Sequence, residues 1–413
     1  MGGGLLQLVA YGAQDAYLSG NPQITFWRGL FKRHTNFAME PFRVNMTGQA
    51  VWGTKHSAIL TRYADLVSSA YVEVQLTGND GELVYPNDRI KGFNLLQYAE
   101  LDIGGQIIDR QYGEFMYLWS TLAYTFDART KMNRMAAMAE IGPDTCGPQG
   151  RPARGNVGFI PLFFFFSRNP GAALPLIALQ YHEVKINLLW NKSELIIKSD
   201  PTTGAVTSGT GPGQANLVID YVYLDVEERR RMAQESHEYL IEQTQFNETK
   251  GMTSAQQRVD LTFNHPVKEL IWVTQASYKR NCRIANAMQA NPNPLDPLTY
   301  DSIIYDCILQ LNGQDRVSAL PGLYFQEVQP FQHHSGTTLP GVYAYSFAIK
   351  PEEHQPSGTC NFSRIDTATL VFSVDGNTAI SNQDAENYDI RMYAINYNIL
   401  RVMSGMGGLA YSN

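Results

Sequence analysis

The amino-acid sequence predicts an all-β fold in which two antiparallel sandwiches of the jelly-roll kind follow one another along the chain. Three observations support this fold class: short segments that alternate apolar and polar residues, turn-forming residues between them, and an internal repeat. With 413 residues, 44% of them hydrophobic, the chain is long enough for two hydrophobic cores and too apolar to be disordered.

The alternating segments have the length and composition of β-strands. They are rich in Val, Ile and Tyr, and Gly, Asn, Asp and Pro separate them, which favours turns. They lie at residues 70–76, 98–105, 182–190, 217–225, 267–275, 306–313, 367–375 and 391–402. Helical periodicity is confined to residues 113–140 and 226–243, which we interpret as short helical insertions or connectors.

Three landmarks recur in the same order in the two halves of the chain. The first is a strand, a glycine turn, Gln and Asp-Arg; the second is an aromatic strand that ends three residues before a proline; the third is a final strand. They lie at 101–115 and 309–325, at 163–176 and 344–358, and at 218–225 and 393–400. The chain is therefore predicted to contain two copies of one β-domain.

The repeat predicts the domain organisation. We expect a first jelly roll at residues 41–226, a linker at 227–250 and a second jelly roll at 251–413, preceded by an N-terminal segment at 1–40. The spacing between turn and proline is longer in the first half, which accommodates a helical insertion there. Long decorated connections between short strands suit jelly rolls better than barrels with tight hairpins.

The charge balance restricts the class of partner. The formal net charge is -7 and only 17% of the residues are charged, whereas nucleic-acid binding needs clustered Lys and Arg over a wide face. No segment approaches the roughly 20 apolar residues of a membrane span, and the N-terminus lacks the features of a signal peptide or a myristoylation signal. Four cysteines without a CxxC pair fit a reducing compartment better than a disulfide framework or a zinc site.

The sequence contains no motif typical of catalysis or of cofactor binding. It has no phosphate-binding loop, no nucleophile elbow and no HExxH zinc motif. His333 and His334 are adjacent and would point to opposite sides of a strand, so we interpret them as polar loop residues. The dipeptides Asp109–Arg110 and Asp315–Arg316 recur in both halves, which indicates a structural turn with an ion pair. We therefore predict no enzyme activity, no metal site and no cofactor.

A basic and aromatic segment lies close to the N-terminus, within "GNPQITFWRGLFKRHTNFAMEPF" at residues 20–42. Its candidate contact residues are Trp27, Arg28, Leu30, Phe31, Lys32, Arg33 and His34. Contact with a partner and packing on the segment's own domain are both compatible with this composition.

Four Asn-X-Ser/Thr sequons are candidate glycosylation sites. They begin at Asn45, Asn191, Asn247 and Asn361. Because a chain of this composition contains about three by chance, they carry little weight on their own.

Several segments together resemble the double jelly-roll major capsid proteins of large icosahedral double-stranded DNA viruses, the group of chlorella viruses, iridoviruses and marseilleviruses. The resemblance rests on "LVAYGAQDAYLSGNPQITFWRGLFKRHTNFA" (8–38), "LDVEERRRMAQESHEYLIEQ" (224–243), "NHPVKELIWV" (264–273) and "YAINYNILRVMSGMGGLAYSN" (393–413). These segments include the start, the domain joint and the end, so the resemblance extends over the whole chain.

The resemblance implies two eight-stranded jelly rolls in each subunit and a homotrimer with a nearly hexagonal outline that tiles the shell beside neighbouring capsomers. A trimer forms such a tile when each subunit supplies two similar wedges. It also implies that the N-terminal segment lies on the inner side of the shell, where it contacts minor capsid proteins above an internal viral membrane. The basic residues of that segment would face this side, and Trp27, Leu30 and Phe31 would anchor the segment under a trimer.

The implied function is structural. The protein would belong to the virion, assemble in the cytoplasm of the infected host cell and make no direct contact with nucleic acid. Two alternatives remain open at this point: a minor capsid paralogue with the same fold and a glycan-binding jelly-roll protein. An enzyme on a β-sandwich is a third class, and it would need convergent titratable groups that the sequence does not show.

Overall fold

The computed structural model describes residues 2–27, 29, 32–48, 50–75, 91–136, 157–192, 212, 214–276, 304–339, 341–374 and 388–411. The chain divides into two compact units, Met1–Phe37 and Ala38–Asn413. The first unit contains helices α1 (Gly3–Val9) and α2 (Ala16–Ser19), joined by a 3-10 turn at Ala13–Asp15. No residue of these two helices is buried.

The first half of the larger unit consists of two antiparallel sheets. Its strands are β1 (Phe37–Asn45), β2 (Lys55–Ile59), β3 (Leu66–Gln75), β4 (Leu96–Ile103), β5 (Gln106–Tyr112), β6 (Val157–Pro161), β7 (Leu174–Pro175), β8 (Val184–Trp190) and β9 (Gln214–Leu224). Sheet 1A has the order β1, β9, β3, β6, with β7 beside β3, and sheet 1B has the order β2, β8, β4, β5.

The second half repeats this topology. Its strands are β10 (His237–Met252), β11 (Gln256–Asp260), β12 (Pro266–Ala276), β13 (Ile304–Leu311), β14 (Gln314–Pro321), β15 (Val342–Ser346), β16 (Cys360–Asn361), β17 (Ala368–Val374), β18 (Tyr388–Met403) and β19 (Met406–Leu409). Sheet 2A has the order β10, β18, β12, β15, and sheet 2B has the order β11, β17, β13, β14. Within the described residues, and without the short strands β7, β16 and β19, each half has eight strands in one identical order. The predicted pair of jelly rolls is confirmed.

Helices occupy the connections between strands. The larger unit contains α3 (Lys91–Asn94), α4 (Gly113–Ala123), α5 (Phe126–Met135), α6 (Phe165–Arg168), α7 (Val226–Gln234) and α8 (Gln329–His333). Single turns lie at Pro170–Ala172 and Phe362–Arg364, and a π turn at Tyr324–Val328 precedes α8. Helices α4 and α5 confirm the helical insertion predicted from residue 113.

The prediction of helix up to residue 243 is wrong beyond Gln234. Helix α7 ends there, Glu235 has extended backbone angles, and β10 begins at His237. Strand β10 pairs with β18 from His237 opposite Val402 to Met252 opposite Tyr388. This long ladder gives the backbone hydrogen-bond partners that a helix would otherwise supply. The predicted linker, 227–250, therefore contains most of α7 and most of β10.

The aromatic run Phe163–Phe166 is not part of a strand, contrary to the prediction. Strand β6 ends at Pro161, which lacks the N–H needed to continue a ladder, and α6 begins at Phe165. All four phenylalanines are buried in the core of the larger unit. Because none of them faces water, the sequence offers no alternation that would reveal the local structure.

The recurrent glycine turn has the same backbone conformation in both halves. Gly104 and Gly105 have φ of 61° and 89°, and Asn312 and Gly313 have φ of 51° and 74°. Two consecutive positive φ angles define the tight hairpin that best fits the twist of paired strands, and Gly and Asn tolerate them. These turns join β4 to β5 and β13 to β14.

Sheet 2A is buried on both faces. Leu270 and Trp272 belong to the core of the second jelly roll, whereas Ile271 and Val273, which point the other way, belong to a cluster shared with the first jelly roll. Strand β18 is buried along most of its length. A single hydrophobic cluster therefore runs from the core of the first jelly roll onto the outer face of sheet 2A.

Candidate functional site

The predicted N-terminal contact segment lies in the unit formed by residues 1–37. Trp27 is 84% exposed, and Lys32, Arg33 and His34 are exposed as well. The other predicted contact residues, Arg28, Leu30 and Phe31, lie outside the described residues. The His34 ring is 2.8 Å from the carbonyl oxygen of Thr35 through Nδ1. The exposed members of the segment thus combine positive charge with a large apolar side chain.

The four sequons differ in exposure. Asn45 on β1 and Asn361 on β16 are exposed, and the Asn361 Oδ1 accepts a hydrogen bond of 3.1 Å from the Ser363 backbone N–H. Asn191 and Asn247 are half-buried, and their Nδ2 atoms donate to the carbonyl oxygens of Asn94 and Asp260. Two of the four Nδ2 atoms, the atoms to which a glycan would be attached, therefore already donate hydrogen bonds within the fold.

The contact between the two jelly rolls contains a buried ionic cluster. Glu242 on β10 accepts 2.6 Å hydrogen bonds from Lys268 on β12 and from Arg168, which lies two residues after the buried aromatic run in the first jelly roll. The Lys268 side chain is 1% exposed. Burial raises the pKa of Glu242, but Lys268 and Arg168 lower it by more, so the carboxylate is charged.

The ring of Trp119 in α4 packs against both cations of this cluster. The centre of its ring system is 4.9 Å from the Arg168 guanidinium carbon and 5.6 Å from Lys268 Nζ. The ring of His334, in the second jelly roll, meets it edge to face at 6.1 Å. An aromatic face attracts cations, so the tryptophan stabilises positive charge that the cluster buries.

His334 lies in the loop that follows α8, but its side chain is buried and charged, whereas His333 is the last residue of α8 and not a loop residue. The His334 side chain is 1% exposed, with Nε2 2.5 Å from Glu269 and Nδ1 3.2 Å from Glu352. Burial alone would lower the pKa of His334, but the two carboxylates raise it to about 10. The imidazolium therefore carries a proton at neutral pH and bridges two acidic side chains.

A second ionic contact joins α4 to β18. Glu114 near the start of α4 accepts two hydrogen bonds of 2.6 Å from Arg391, and its Oε2 also accepts one from the Tyr393 hydroxyl. The Arg391 side chain is 5% exposed. Such bidentate geometry fixes both distance and orientation, so it defines how the jelly rolls dock.

The second jelly roll also caps helix α4. The last carbonyl groups of a helix lack partners within it. The backbone N–H groups of Gly336 and Thr337 donate to the carbonyl oxygens of Leu122 and Thr121 at 2.7 and 2.9 Å, and the Ser335 hydroxyl donates to Ala123. Helix α4 therefore depends on the other jelly roll for its C-terminal hydrogen bonds.

Asp109 lies at the same contact, and its predicted ion pair with Arg110 is absent. The Thr244 backbone N–H donates to Asp109 Oδ1 at 3.0 Å, and Gln111 Nε2 donates to Oδ2 at 2.5 Å. Complete burial raises the pKa of Asp109. Arg110 points to the opposite side of β5, where it pairs with Glu100 at 2.6 Å.

The described residues provide no arrangement typical of a metal centre. Among them, no group of three or more His, Cys, Asp or Glu side chains could hold a metal ion. Cys307 and Cys360 are free thiols, and the other two cysteines fall outside the described ranges. No helix within those ranges is long and apolar enough to cross a membrane.

The residues that form the contact between the two jelly rolls were not predicted from the sequence, although it contains one indication of them. Lys268 and Glu269 interrupt the apolar run "VKELIWV", and charges inside a strand that is otherwise buried usually have partners. Spacing in the sequence does not identify the other members of the cluster, because Glu242 lies on a different strand and Arg168 lies in the other jelly roll.

Comparison with known proteins agrees with this architecture. A family model described as the N-terminus of the major capsid protein matches residues 25–225, and a model described as the large eukaryotic DNA virus major capsid protein matches residues 228–408. The major capsid protein of Pyramimonas orientalis virus is 44% identical, and the alignment covers 100% of both chains.

Solved structures give the same result. The crystal structure of the PBCV-1 protein VP54, fitted into a reconstruction of the virophage Sputnik, matches with a TM-score of 0.76 and 35% identity over 94% of this chain and 100% of that one. A quasi-atomic model of the PBCV-1 virus capsid matches with a TM-score of 0.75 and the same identity and coverage. The chain therefore belongs to the family of major capsid proteins of large eukaryotic DNA viruses.

Proposed function

We propose that this protein is the structural subunit of an icosahedral virion shell, and that three copies form a capsomer with a nearly hexagonal outline. The relatives named above are capsid proteins, one of them matched within a virus capsid. The proposed role is the burial of surface between copies, without catalysis. It places the protein in the capsid, assembled in the cytoplasm of the infected cell and without direct contact to nucleic acid.

One observation supports the proposed trimer. The outer face of sheet 2A is covered by the first jelly roll, whereas the outer face of the equivalent sheet 1A leaves Tyr71 and Val218 half-exposed. The two jelly rolls contact each other head to tail. Each chain therefore leaves two surfaces open: the outer face of sheet 1A, and the side of the second jelly roll that corresponds to the side by which the first covers sheet 2A. Head-to-tail contacts close into a ring when the rotation per unit divides a full turn. Six jelly rolls from three copies would form that ring.

Light scattering on the purified full-length protein tests this proposal. We expect a particle of about three times the 46.3 kDa chain mass near neutral pH. Negative-stain images of that particle should show a hexagonal outline. A strictly monomeric protein at micromolar concentration would contradict the trimer and favour a minor shell position for this chain.

We also propose that the N-terminal unit contacts minor capsid proteins on the inner side of the shell, near an internal membrane. Helix α1 exposes Leu5, Leu6 and Leu8, and Trp27, Lys32 and Arg33 are exposed further along the chain. Apolar side chains that remain exposed in a subunit usually mark a contact surface. Each basic residue near an anionic membrane gains about 1 kcal/mol.

Deletion of residues 2–36 tests this second proposal. The truncated protein should form trimers of unchanged thermal stability but should not be incorporated into shells when it is expressed with the other virion proteins. Loss of trimer folding would instead show that the unit serves its own subunit. Intact-mass measurement would test the sequons, and we propose glycan attachment only at the exposed Asn45 and Asn361.

A further inference from the structure

The connections that follow the fifth strand of each jelly roll are equivalent in topology but differ in their surroundings. Helix α4 follows β5, and Glu114, the second residue after that strand, binds Arg391 of sheet 2A. In the second jelly roll, Leu323 is the second residue after β14, and it is 53% exposed. The position equivalent to the charged residue Glu114 is therefore occupied by an apolar residue, Leu323, which is exposed.

A second pair of positions shows the same difference. Arg168, which lies two residues before Pro170, binds Glu242 of sheet 2A. Ile349 lies two residues before Pro351 and is 72% exposed. The Ile349 carbonyl oxygen is 3.0 Å from His333 Nδ1, which brings it next to helix α8 with its 88% exposed Phe331. We name Leu323, Phe331 and Ile349 the apolar ridge.

The two outer sheet faces can be compared residue by residue through their strand registers. On sheet 2A, Ile271 lies opposite Tyr393 and Val273 opposite Arg391, and these side chains meet the first jelly roll. The equivalent pairs on sheet 1A are Tyr71 opposite Val218 and Glu73 opposite Asn216.

The chemistry of the two faces is different. Glu73 accepts a hydrogen bond of 2.6 Å from Arg43, and Asn216 Nδ2 lies 3.4 Å from its other oxygen. The acidic group on sheet 1A is thus already paired within its own chain. A neighbouring segment that docks there needs no charge, and a charge of either sign would be buried beside this neutral ion pair without a counter-charge of its own.

We propose that the apolar ridge of one copy seats on the outer face of sheet 1A of a second copy, with Leu323 beside Glu73 and Asn216, and that the missing charge selects this partner. This inference rests on the proposed trimer and specifies its contact. The charged contact between the two jelly rolls of one chain and the uncharged contact between copies then differ in chemistry. The apolar ridge would be a poor partner for sheet 2A, because Leu323 would then face the buried Arg391, which would lack a carboxylate to pair with.

Two substitutions of opposite charge at one position test the proposal. In the purified full-length protein, Leu323→Glu and Leu323→Lys should each raise the protein concentration at which trimers dissociate by at least about tenfold, because each new charge loses its water beside the Arg43–Glu73 pair and gains no free counter-charge. Adding Glu73→Gln to Leu323→Glu should recover part of the trimer, because it frees Arg43 to pair with the new glutamate, whereas the same addition to Leu323→Lys should not.

Tyr305→Glu is the matched control. Tyr305 is 71% exposed on β13, eight residues before Gly313, and Gln97, the residue eight before Gly105 on β4, is exposed and not covered by the second jelly roll. This variant should remain trimeric, and all variants should keep the circular dichroism spectrum of the parent. If the parent is trimeric and Leu323→Glu dissociates like the parent, this inference is overturned while the proposed function stands. If the parent itself is monomeric, the proposed function fails first.

Discussion

Glu114 of the first jelly roll and Arg391 of the second form a bidentate ion pair, with both N–O distances at 2.6 Å. The arginine is almost completely buried, whereas 23% of the Glu114 side chain remains exposed. Removal of the carboxylate would leave a buried guanidinium without its counter-charge, which costs more than the pair itself contributes.

We therefore expect Glu114→Ala to lower the free energy of unfolding by about 3 kcal/mol, measured by urea denaturation. Glu238→Ala is the matched control, because Glu238 also binds an arginine, Arg401 at 2.8 Å, but both side chains are about half exposed. An exposed pair of this kind contributes about 1 kcal/mol or less. Equal losses for the two variants would contradict the assignment of Glu114 as a docking contact.

Strands were predicted correctly from the sequence where they are well buried in the sheets. The alternating segments correspond to the central strands of the four sheets, such as β12 and β18. Edge strands β11 and β14 were not found by alternation, because only Val259 and Val317 are buried within them. A strand that buries one residue has no period to detect. Strand β14 was located only through the repeat.

The ionic contact could not be predicted in the same way. The sequence contains Glu242, Lys268 and Arg168 at positions that have no relation in spacing, and only the packing of one jelly roll on the other brings them together. The repeat even misled the interpretation of Asp109, because its recurrence as Asp315 suggested equivalent roles. Asp315 accepts a hydrogen bond from Gln310 at the exposed end of its hairpin, whereas Asp109 is buried.

The capping of α4 predicts an effect at a glycine. A Cβ atom at residue 336 would overlap the carbonyl oxygens of Thr121 and Leu122. Gly336→Ala should push the loop away, break its hydrogen bonds to α4 and lower the free energy of unfolding by about 3 kcal/mol. Gly171→Ala is the control, because a Cβ there would meet only the Asn169 side chain at 3.5 Å or more. Its effect should stay within about 0.5 kcal/mol.

His334 predicts a loss of stability in alkaline solution. Its pKa of about 10 in the folded protein is above the unfolded value of 6.5. A group with a raised pKa contributes its full stability below pH 6.5 and loses it as the pH rises to about 10. His334→Gln should remove this dependence and should be less stable than the parent at pH 6 by about 3 to 5 kcal/mol, since Glu269 then lacks its counter-charge.

Thermal melts of the parent and His334→Gln at pH values from 6 to 10 check this prediction. The two stability curves should converge as the pH approaches 10. His333→Gln serves as the control, because the contact that His333 makes through Nδ1 is with the backbone carbonyl of Ile349. Parallel curves for the parent and His334→Gln would show that the imidazole is neutral.

Asp109 predicts a pH dependence with a different origin. Its folded pKa lies above the unfolded value of 3.8 because the carboxyl group is completely buried. Folding therefore favours the protonated form, so the stability contributed by this group is lost as the pH rises from about 4 through the folded pKa.

The Gln111 Oε1 atom is buried without a hydrogen-bond partner, and rotation of that amide would let it accept the proton of a neutral Asp109. Asparagine is neutral at every pH and can donate to the same oxygen while its own oxygen accepts from Thr244. Asp109→Asn should thus be at least as stable as the parent at pH 5 and should exceed it increasingly towards pH 8, in urea denaturation at matched ionic strength. A variant that is less stable than the parent throughout this range would mean that a charged Asp109 holds the two jelly rolls together.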